Sequence, residues 1–205
     1  FTAPIVASFS SKEPNPITQD LLKPNITAPG VDILAAWSNA APVSMDLLDK
    51  RVVDFNIISG IAMTCHHATG AAAYVMSFHP DKSPVAIKSA LMTTDAYPLD
   101  ATLDGNEAAE LGYGAGEINP FKAINLGLVY DTNVDSYINM LCSQGYNETF
   151  LRLLTGEFIV CSSNLSNNGV WELNYPSIMV IGKVSEPFLA PFPRTVTNVG
   201  PAKST

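Results

Sequence analysis

Hydrophobic and polar positions along the first part of the chain predict short strands. Residues 4–11 predict one strand, which a proline-rich turn follows. The nearly continuous apolar run from Val31 to Trp37 predicts a strand buried on both faces. After a polar loop, the alternation from Val52 to Ile58 predicts another strand.

Helical periodicity follows these strands. The segment Ala62–Phe78 predicts a helix, because its apolar side chains recur at steps of three and four: Ala68, Ala71, Ala72, Val75 and Phe78. Ser83 before Pro84 predicts the start of a second helix, with Ile87, Ala90 and Leu91 on its buried face.

The later part of the chain predicts a third helix, which spans Thr132–Gln144 with Thr132 and Asp135 as a capping pair and Gly145 as its end. A short amphipathic run covers 150–154 and ends at Gly156, and residues 194–199 are strand-like. The glycines between 112 and 116 indicate a structural turn, not a phosphate-binding loop.

Composition narrows the class of protein. The 205 residues are 47% hydrophobic and 15% charged, which predicts a folded chain. A net charge of −8 argues against nucleic acid or an anionic membrane as partner, because phosphate binding needs clustered Lys and Arg. No apolar run approaches the ~18 residues of a membrane span. Phe1 has neither an initiator Met nor a signal peptide, so we expect a processed or truncated end.

Cysteines and sequons bear on the compartment. Three cysteines are too few for a disulfide scaffold but allow one pair and one free thiol. Asn25, Asn147 and Asn164 each begin an N-glycosylation sequon. Polar surroundings predict exposed loops at the last two, whereas Asn25 precedes an apolar segment that hinders it. Together these features predict a secreted glycoprotein.

An ordered series of motifs resembles the plant subtilisin-like serine proteases, the cucumisin-like subtilases. It spans nearly the whole chain: Ile26–Trp37, Asn56–Gly60, Met63, Cys65, His67, Thr69–Ala73, Ser83–Pro84, Ala86–Thr94, Tyr113–Gly116, Asn119–Pro120, Gly127–Asp131, Leu173–Ser177 and Arg194–Gly200. The resemblance implies an α/β fold, the C-terminal portion of a mostly parallel sheet flanked by helices. It implies that 1–130 belong to the peptidase domain, 131–172 to a helical linker and 173–205 to the start of a fibronectin-III-like domain.

The resemblance also places the nucleophile. The family has Gly-Thr-Ser where this chain has Gly60-Ile61-Ala62, so Ala62 occupies the nucleophile position. Ala62 has no hydroxyl with which to attack a carbonyl carbon. The segments with the catalytic Asp, the catalytic His and the oxyanion-hole Asn are expected upstream of Phe1. The chain as written is therefore predicted to be proteolytically inactive, as a fragment or a pseudoprotease.

Further departures from the family pattern favour relaxed constraint over a single engineered knockout. These are Lys12–Glu13, Ile61, His66, Glu117 and Leu126.

Other reactive side chains near Ala62 are assigned structural roles. Cys65 is predicted to be a buried structural thiol. His66 and His67 are adjacent on a helix and do not chelate one metal ion together, and His67 matches a non-catalytic family position. We expect no metal and no cofactor. By resemblance Cys142 and Cys161 form a disulfide; the alternative is two free thiols.

Two alternatives to an inactive chain stay open. The natural protein is an active serine endopeptidase with a partial or misread sequence, or it is a structural, storage or peptide-binding glycoprotein. The expected partners are the missing N-terminal part of the subtilase and peptide or protein substrates. The resemblance implies an extracellular location, in the apoplast or the vacuole. The chain is not expected to fold as an independent domain.

Overall fold

A computed structural model describes residues 5–12, 14–44, 46, 48–94, 109–161, 169–181 and 189–202. Its elements, in chain order, are β1 (Ile33–Ala36), β2 (Phe55–Ile58), α1 (Ile61–Phe78), α2 (Pro84–Thr93), α3 (Ala109–Tyr113), α4 (Pro120–Ala123), β3 (Leu128–Val129), α5 (Val134–Ser143), α6 (Glu148–Thr155), α7 (Gly169–Glu172) and β4 (Thr197–Asn198).

The described residues form two small antiparallel sheets of two strands each. β1 pairs with β2, and β3 pairs with β4. A parallel bridge joins Thr27 to Glu117. The mostly parallel sheet is therefore not present in the described ranges, which hold mixed helices and small sheets compatible with an α/β fold.

Two strand predictions need correction. Residues 5–11 do not form a regular strand; a turn there is closed by a hydrogen bond from the Ser10 N–H to the Ala7 carbonyl (2.9 Å). β1 is not buried on both faces, since Leu34 is 69% exposed and its cross-strand partner Ile57 is 63% exposed. The apolar run alone predicts a central strand, whereas β1 and β2 form a two-stranded hairpin with one face uncovered.

The predicted helices α1 and α2 are confirmed, and they build the main core. Ser83 caps α2 by accepting a hydrogen bond from the Ala86 N–H (3.0 Å). The core consists of nine buried residues from α1, α2, α4 and the segment to β3: Ala71, Val75, Ala86, Ile87, Ala90, Leu91, Ala123, Leu126 and Val129. Phe78, predicted to lie on the buried stripe of α1, is 54% exposed.

The predicted third helix begins at a different cap. Asn133, not Thr132, is the N-cap of α5, and its side chain accepts from the Ser136 N–H (2.9 Å). The Thr132 hydroxyl donates to the Asn174 carbonyl instead (2.7 Å). The amphipathic run at 150–154 is the centre of α6, which ends at Gly156 in the left-handed conformation.

The last described segment is fastened to the body by two side chains. Asn174 accepts from the Thr195 N–H (2.9 Å) and donates to the Thr195 and Asp131 carbonyls (both 2.8 Å). The Arg194 guanidinium donates to the carbonyls of Trp171 (2.6 Å) and Tyr175 (3.0 Å). These bonds bring β4 beside β3.

Candidate active-site scaffold

The loop that enters α1 is held by two glycines. The Gly60 N–H donates to the Gly30 carbonyl (2.8 Å). A Cβ atom at Gly30 would lie 2.2 Å from Oγ1 of Thr64, so only glycine allows this approach of the Gly30 backbone to α1. The loop after Ala28 thus fixes the strand-to-helix turn between β2 and α1.

A second contact fastens the same loop. Asp32 has a left-handed backbone, with φ of 52°, which is uncommon outside glycine. Its N–H donates to Oγ of Ser59 (2.8 Å), and the Ser59 hydroxyl donates to the Asp32 carboxylate (3.3 Å). This pair was not predicted from the sequence. The available signal was a polar residue at each open end of the hairpin, since Asp32 precedes β1 and Ser59 follows β2.

Ala62 lies in the first turn of α1 and is exposed. The N–H groups of Met63 and Thr64 donate to the Gly60 carbonyl (3.0 and 3.4 Å), which closes this turn without a side-chain cap. The side chain of Ala62 is a methyl group, so it supplies neither a nucleophile nor a transferable proton.

The histidines near the helix entrance face their own helix. Nδ1 of His66 donates to the Ala62 carbonyl (2.7 Å), and Nδ1 of His67 donates to the Met63 carbonyl (3.1 Å). His79 follows the far end of α1, about 25 Å away at 1.5 Å per residue, and Nε2 of its ring contacts the Ile124 carbonyl (2.6 Å). The structure therefore brings no histidine into a hydrogen bond with a carboxylate within the described ranges.

Cys65 is an exposed free thiol, which corrects the prediction of a buried one. The fully buried residues of α1 are Ala71 and Val75 in its middle turns, whereas Cys65 lies on an exposed side of the second turn.

Two recesses flank α1, and Glu117 lines both. The first, of about 410 Å³, lies between residues 5–11, residues 24–31 and the first turn of α1. The second, of about 460 Å³, contains His67, Tyr74 and Phe121. The Tyr74 ring packs edge-on against Phe78 (5.1 Å) and Phe121 (5.8 Å). Apolar residues make up most of both walls, as in many ligand-binding recesses.

The remaining candidate residues lie away from α1. Cys142 and Cys161 form a disulfide between α5 and the segment after α6. Asn147 is exposed at the start of α6, and Asn25 is half-buried. Asn164 lies outside the described residues. Gly114, within the predicted structural turn, has a φ of 61°, and a Cβ there would lie 2.2 Å from the Pro24 carbonyl oxygen.

Metal-ligating side chains do not gather in the described ranges, which contain no group of three or more His, Cys, Asp or Glu able to hold an ion. Among the helices described, none has the length and apolar character needed to cross a bilayer.

Some serine hydrolases hold the nucleophile at a turn from a strand into a helix, and β2, Gly60 and the exposed first turn of α1 have this arrangement. Residues 2–116 match the subtilase family, peptidase S8, and the chain belongs to that family. It is 47% identical over 204 residues to the subtilisin-like protease SBT4.8 of Arabidopsis thaliana, and 49% identical over 216 residues to SBT4.15 of the same plant. Each alignment covers 99% of this chain but only 28% and 27% of the relative.

Proposed function

We propose that this chain is a non-hydrolytic part of a subtilisin-like protease. The observation that carries the proposal is Ala62, which stands in the first turn of α1, where the family resemblance places the serine nucleophile. In subtilisin, loss of the serine nucleophile lowers turnover roughly 10⁶-fold.

The neighbouring hydroxyls do not offer a replacement nucleophile. Ser59 is paired with the Asp32 carboxylate, but no histidine bonds to it in the described part of the chain. A carboxylate alone does not complete the serine–histidine–aspartate arrangement that activates a hydroxyl. Thr64 is β-branched and packs against Gly30 at the wall of a recess.

We propose that the exposed apolar side chains of this chain pack against the rest of a subtilase fold. The chain spans little more than a quarter of the relatives' length. Large apolar side chains stand uncovered on the hairpin, on α1 and on α4: Leu34, Phe55, Ile57, Ile61, Met76, Phe78 and Phe121. Exposed apolar side chains in such number are typical of an interface between parts of a protein. By the same resemblance, residues 173–205 begin a fibronectin-III-like domain.

We propose that the protein is secreted. The Cys142–Cys161 disulfide supports it, because disulfides persist in oxidising compartments. The three sequons are consistent with passage through the secretory route.

The test uses the natural protein. Purified material is treated with a fluorophosphonate probe, and the tryptic peptide Val52–Lys82 is sequenced by tandem mass spectrometry. We expect no labelling and an alanine at position 62. Labelling together with a serine there would show that the natural protein is an active endopeptidase and would overturn the proposal.

Two engineered variants distinguish the loss of the nucleophile alone from the loss of the other catalytic groups as well. Ala62→Ser in the natural full-length protein returns a hydroxyl to the nucleophile position, whereas Thr64→Ser places a serine on another side of the same helix. If only the Ala62→Ser variant is labelled, the missing hydroxyl at position 62 is the one change that prevents reaction with the probe. Labelling of neither indicates wider decay, as Ile61 and His66 suggest. Labelling of the Thr64→Ser variant would contradict the placement of the nucleophile.

A further inference from the structure

We propose that Asn147 carries an N-linked oligosaccharide in the native protein and that Asn25 does not, although both stand in an Asn-X-Thr sequon. The inference rests on the secretory route proposed above and adds a choice between sites. In the reaction a bond forms between Asn Nδ2 and C1 of the first sugar. The C1–O bond to a lipid-linked diphosphate donor breaks, Nδ2 loses a proton and the lipid diphosphate leaves.

Asn147 is built to accept a sugar without loss of local structure. It is exposed, and it is the N-cap of α6. Its Oδ1 accepts a hydrogen bond from the Phe150 N–H (3.1 Å). Because the oxygen of the amide is the capping atom, substitution at Nδ2 keeps the acceptor that the helix uses.

A recess beside Asn147 offers a surface for the first sugar. It has a volume of about 410 Å³, and Ile17, Gln144, Tyr146 and Phe150 line it together with Asn147. The Phe150 ring is 56% exposed and meets the Tyr146 ring edge-on at 6.4 Å. The C–H face of a sugar ring is apolar and suits the electron-rich face of an aromatic ring. An oligosaccharide here would cover Phe150.

Asn25 is half-buried, and two neighbouring side chains bind its side-chain oxygen. Its Oδ1 accepts from the Tyr175 hydroxyl (2.5 Å) and from Nζ of Lys23 (3.1 Å). Tyr175 is only 4% exposed. Because Nδ2 shares a plane with Oδ1, these two bonds fix the position of Nδ2 as well.

The rest of the first sequon is also engaged. The Asn25 carbonyl accepts from the Ala115 N–H (3.0 Å), and the Thr27 hydroxyl donates to the Tyr113 carbonyl (3.0 Å). A sugar on Nδ2 of Asn25 would begin beside the oxygen that Tyr175 and Lys23 hold, so it would crowd these two side chains and the bonds that fasten the segment. We infer that crowding of these bonds disfavours folding of chains modified there, so that the native population is bare at Asn25.

Two isosteric variants test the choice. Asn147→Asp and Asn25→Asp each remove a sequon and keep the side-chain acceptor oxygens. Both are made in the natural protein, expressed in plant cells through its own route. We expect the Asn147→Asp protein to migrate faster on a gel, by the mass of one oligosaccharide, and the Asn25→Asp protein to migrate like the unmutated protein. A mobility shift of the Asn25→Asp protein alone would overturn the proposal.

Site occupancy is read directly by treating folded protein with peptide N-glycosidase in heavy-oxygen water. The enzyme converts a glycosylated Asn to heavy-oxygen Asp, so mass spectrometry reads each sequon separately. We expect the label at Asn147 and none at Asn25; the reverse pattern, or a label at both, refutes the proposal. A bare Asn147 with an intact disulfide refutes the glycan alone, and a bare Asn147 with a free Cys142 thiol refutes secretion as well. Neither result depends on whether position 62 is serine.

Hydroxyl-radical footprinting tests the recess. We expect Phe150 to be oxidised more in the Asn147→Asp protein than in the glycosylated protein. Equal oxidation would show that the sugar does not lie on Phe150.

Discussion

The substitution Gly30→Ala tests most directly how the loop after Ala28 is held against the first turn of α1. The new Cβ would lie 2.2 Å from Oγ1 of Thr64 and 3.1 Å from the Gly60 carbonyl oxygen. Ordinary contacts begin near 3.4 Å, so Oγ1 must retreat by about 1.2 Å. Thr64 is β-branched, and rotating Oγ1 away swings its methyl group towards another neighbour. Overpacking of this kind costs about 1–3 kcal/mol in the free energy of unfolding.

A matched control lies on the same helix. Gly70 of α1 has no atom within 4 Å of a built Cβ, so Gly70→Ala should stabilise the protein by about 0.5–1 kcal/mol. In the Gly30→Ala/Thr64→Ala double variant the Oγ1 contact is gone and only the 3.1 Å contact with the Gly60 carbonyl oxygen is tight. We therefore expect the double variant to recover part of the loss, which gives a coupling energy between the two positions.

The assay is urea unfolding of the natural protein and its variants, with the midpoint and slope measured for each. The reasoning is refuted if Gly30→Ala is tolerated as well as Gly70→Ala, or if Thr64→Ala brings no relief.

Three further predictions concern the body of the fold. Ser89→Ala removes the buried acceptor of the Tyr130 N–H (2.9 Å) and should cost about 1–3 kcal/mol, with faster hydrogen exchange at that amide; unchanged exchange would contradict it. Cys142→Ser opens a disulfide loop with a separation of 19 residues and should cost about 3 kcal/mol in thermal unfolding; an unaltered melting temperature would argue against this. Burial, and then the charge of Lys23, lowers the pKa of Lys88, so Lys23→Gln should raise that pKa in an NMR titration.

The sign of the resulting pH dependence follows from that lowered pKa. The unfolded chain holds the Lys88 proton more tightly than the folded chain does. Stability should therefore rise with pH between the folded pKa of Lys88 and the ordinary lysine value of about 10.4. Lys23→Gln narrows this interval, and a pH dependence that stays the same in the variant would contradict the assignment.

Local patterns in the sequence predicted the elements that local chemistry dictates. The spacing of alanines and Val75 predicted α1, and the Ser83–Pro84 pair predicted the start of α2. Both signals depend on neighbours within one or two helical turns, so no distant contact is needed to read them. The ordered motifs also identified the family, which the comparisons confirm.

Errors arose wherever burial or capping depends on residues far along the chain. β1 resembles a central strand by composition, yet one of its faces is uncovered, because burial depends on what packs against it. Thr132 looked like a helix cap, but Asn174, 42 residues later, takes its hydroxyl and Asn133 caps α5 instead.

The sequence by itself determined that position 62 bears a methyl group, and with it the absence of a nucleophile there. Only the tertiary structure decided how the loop before Ala62 is held, by the approach of Gly30 to Thr64 and by the Asp32–Ser59 pair. It also decided that Asn25 is fixed against Tyr175, 150 residues away, while Asn147 stays exposed. The physical reason is that side-chain chemistry is a property of one residue, whereas close approach and burial are properties of segments brought together by folding.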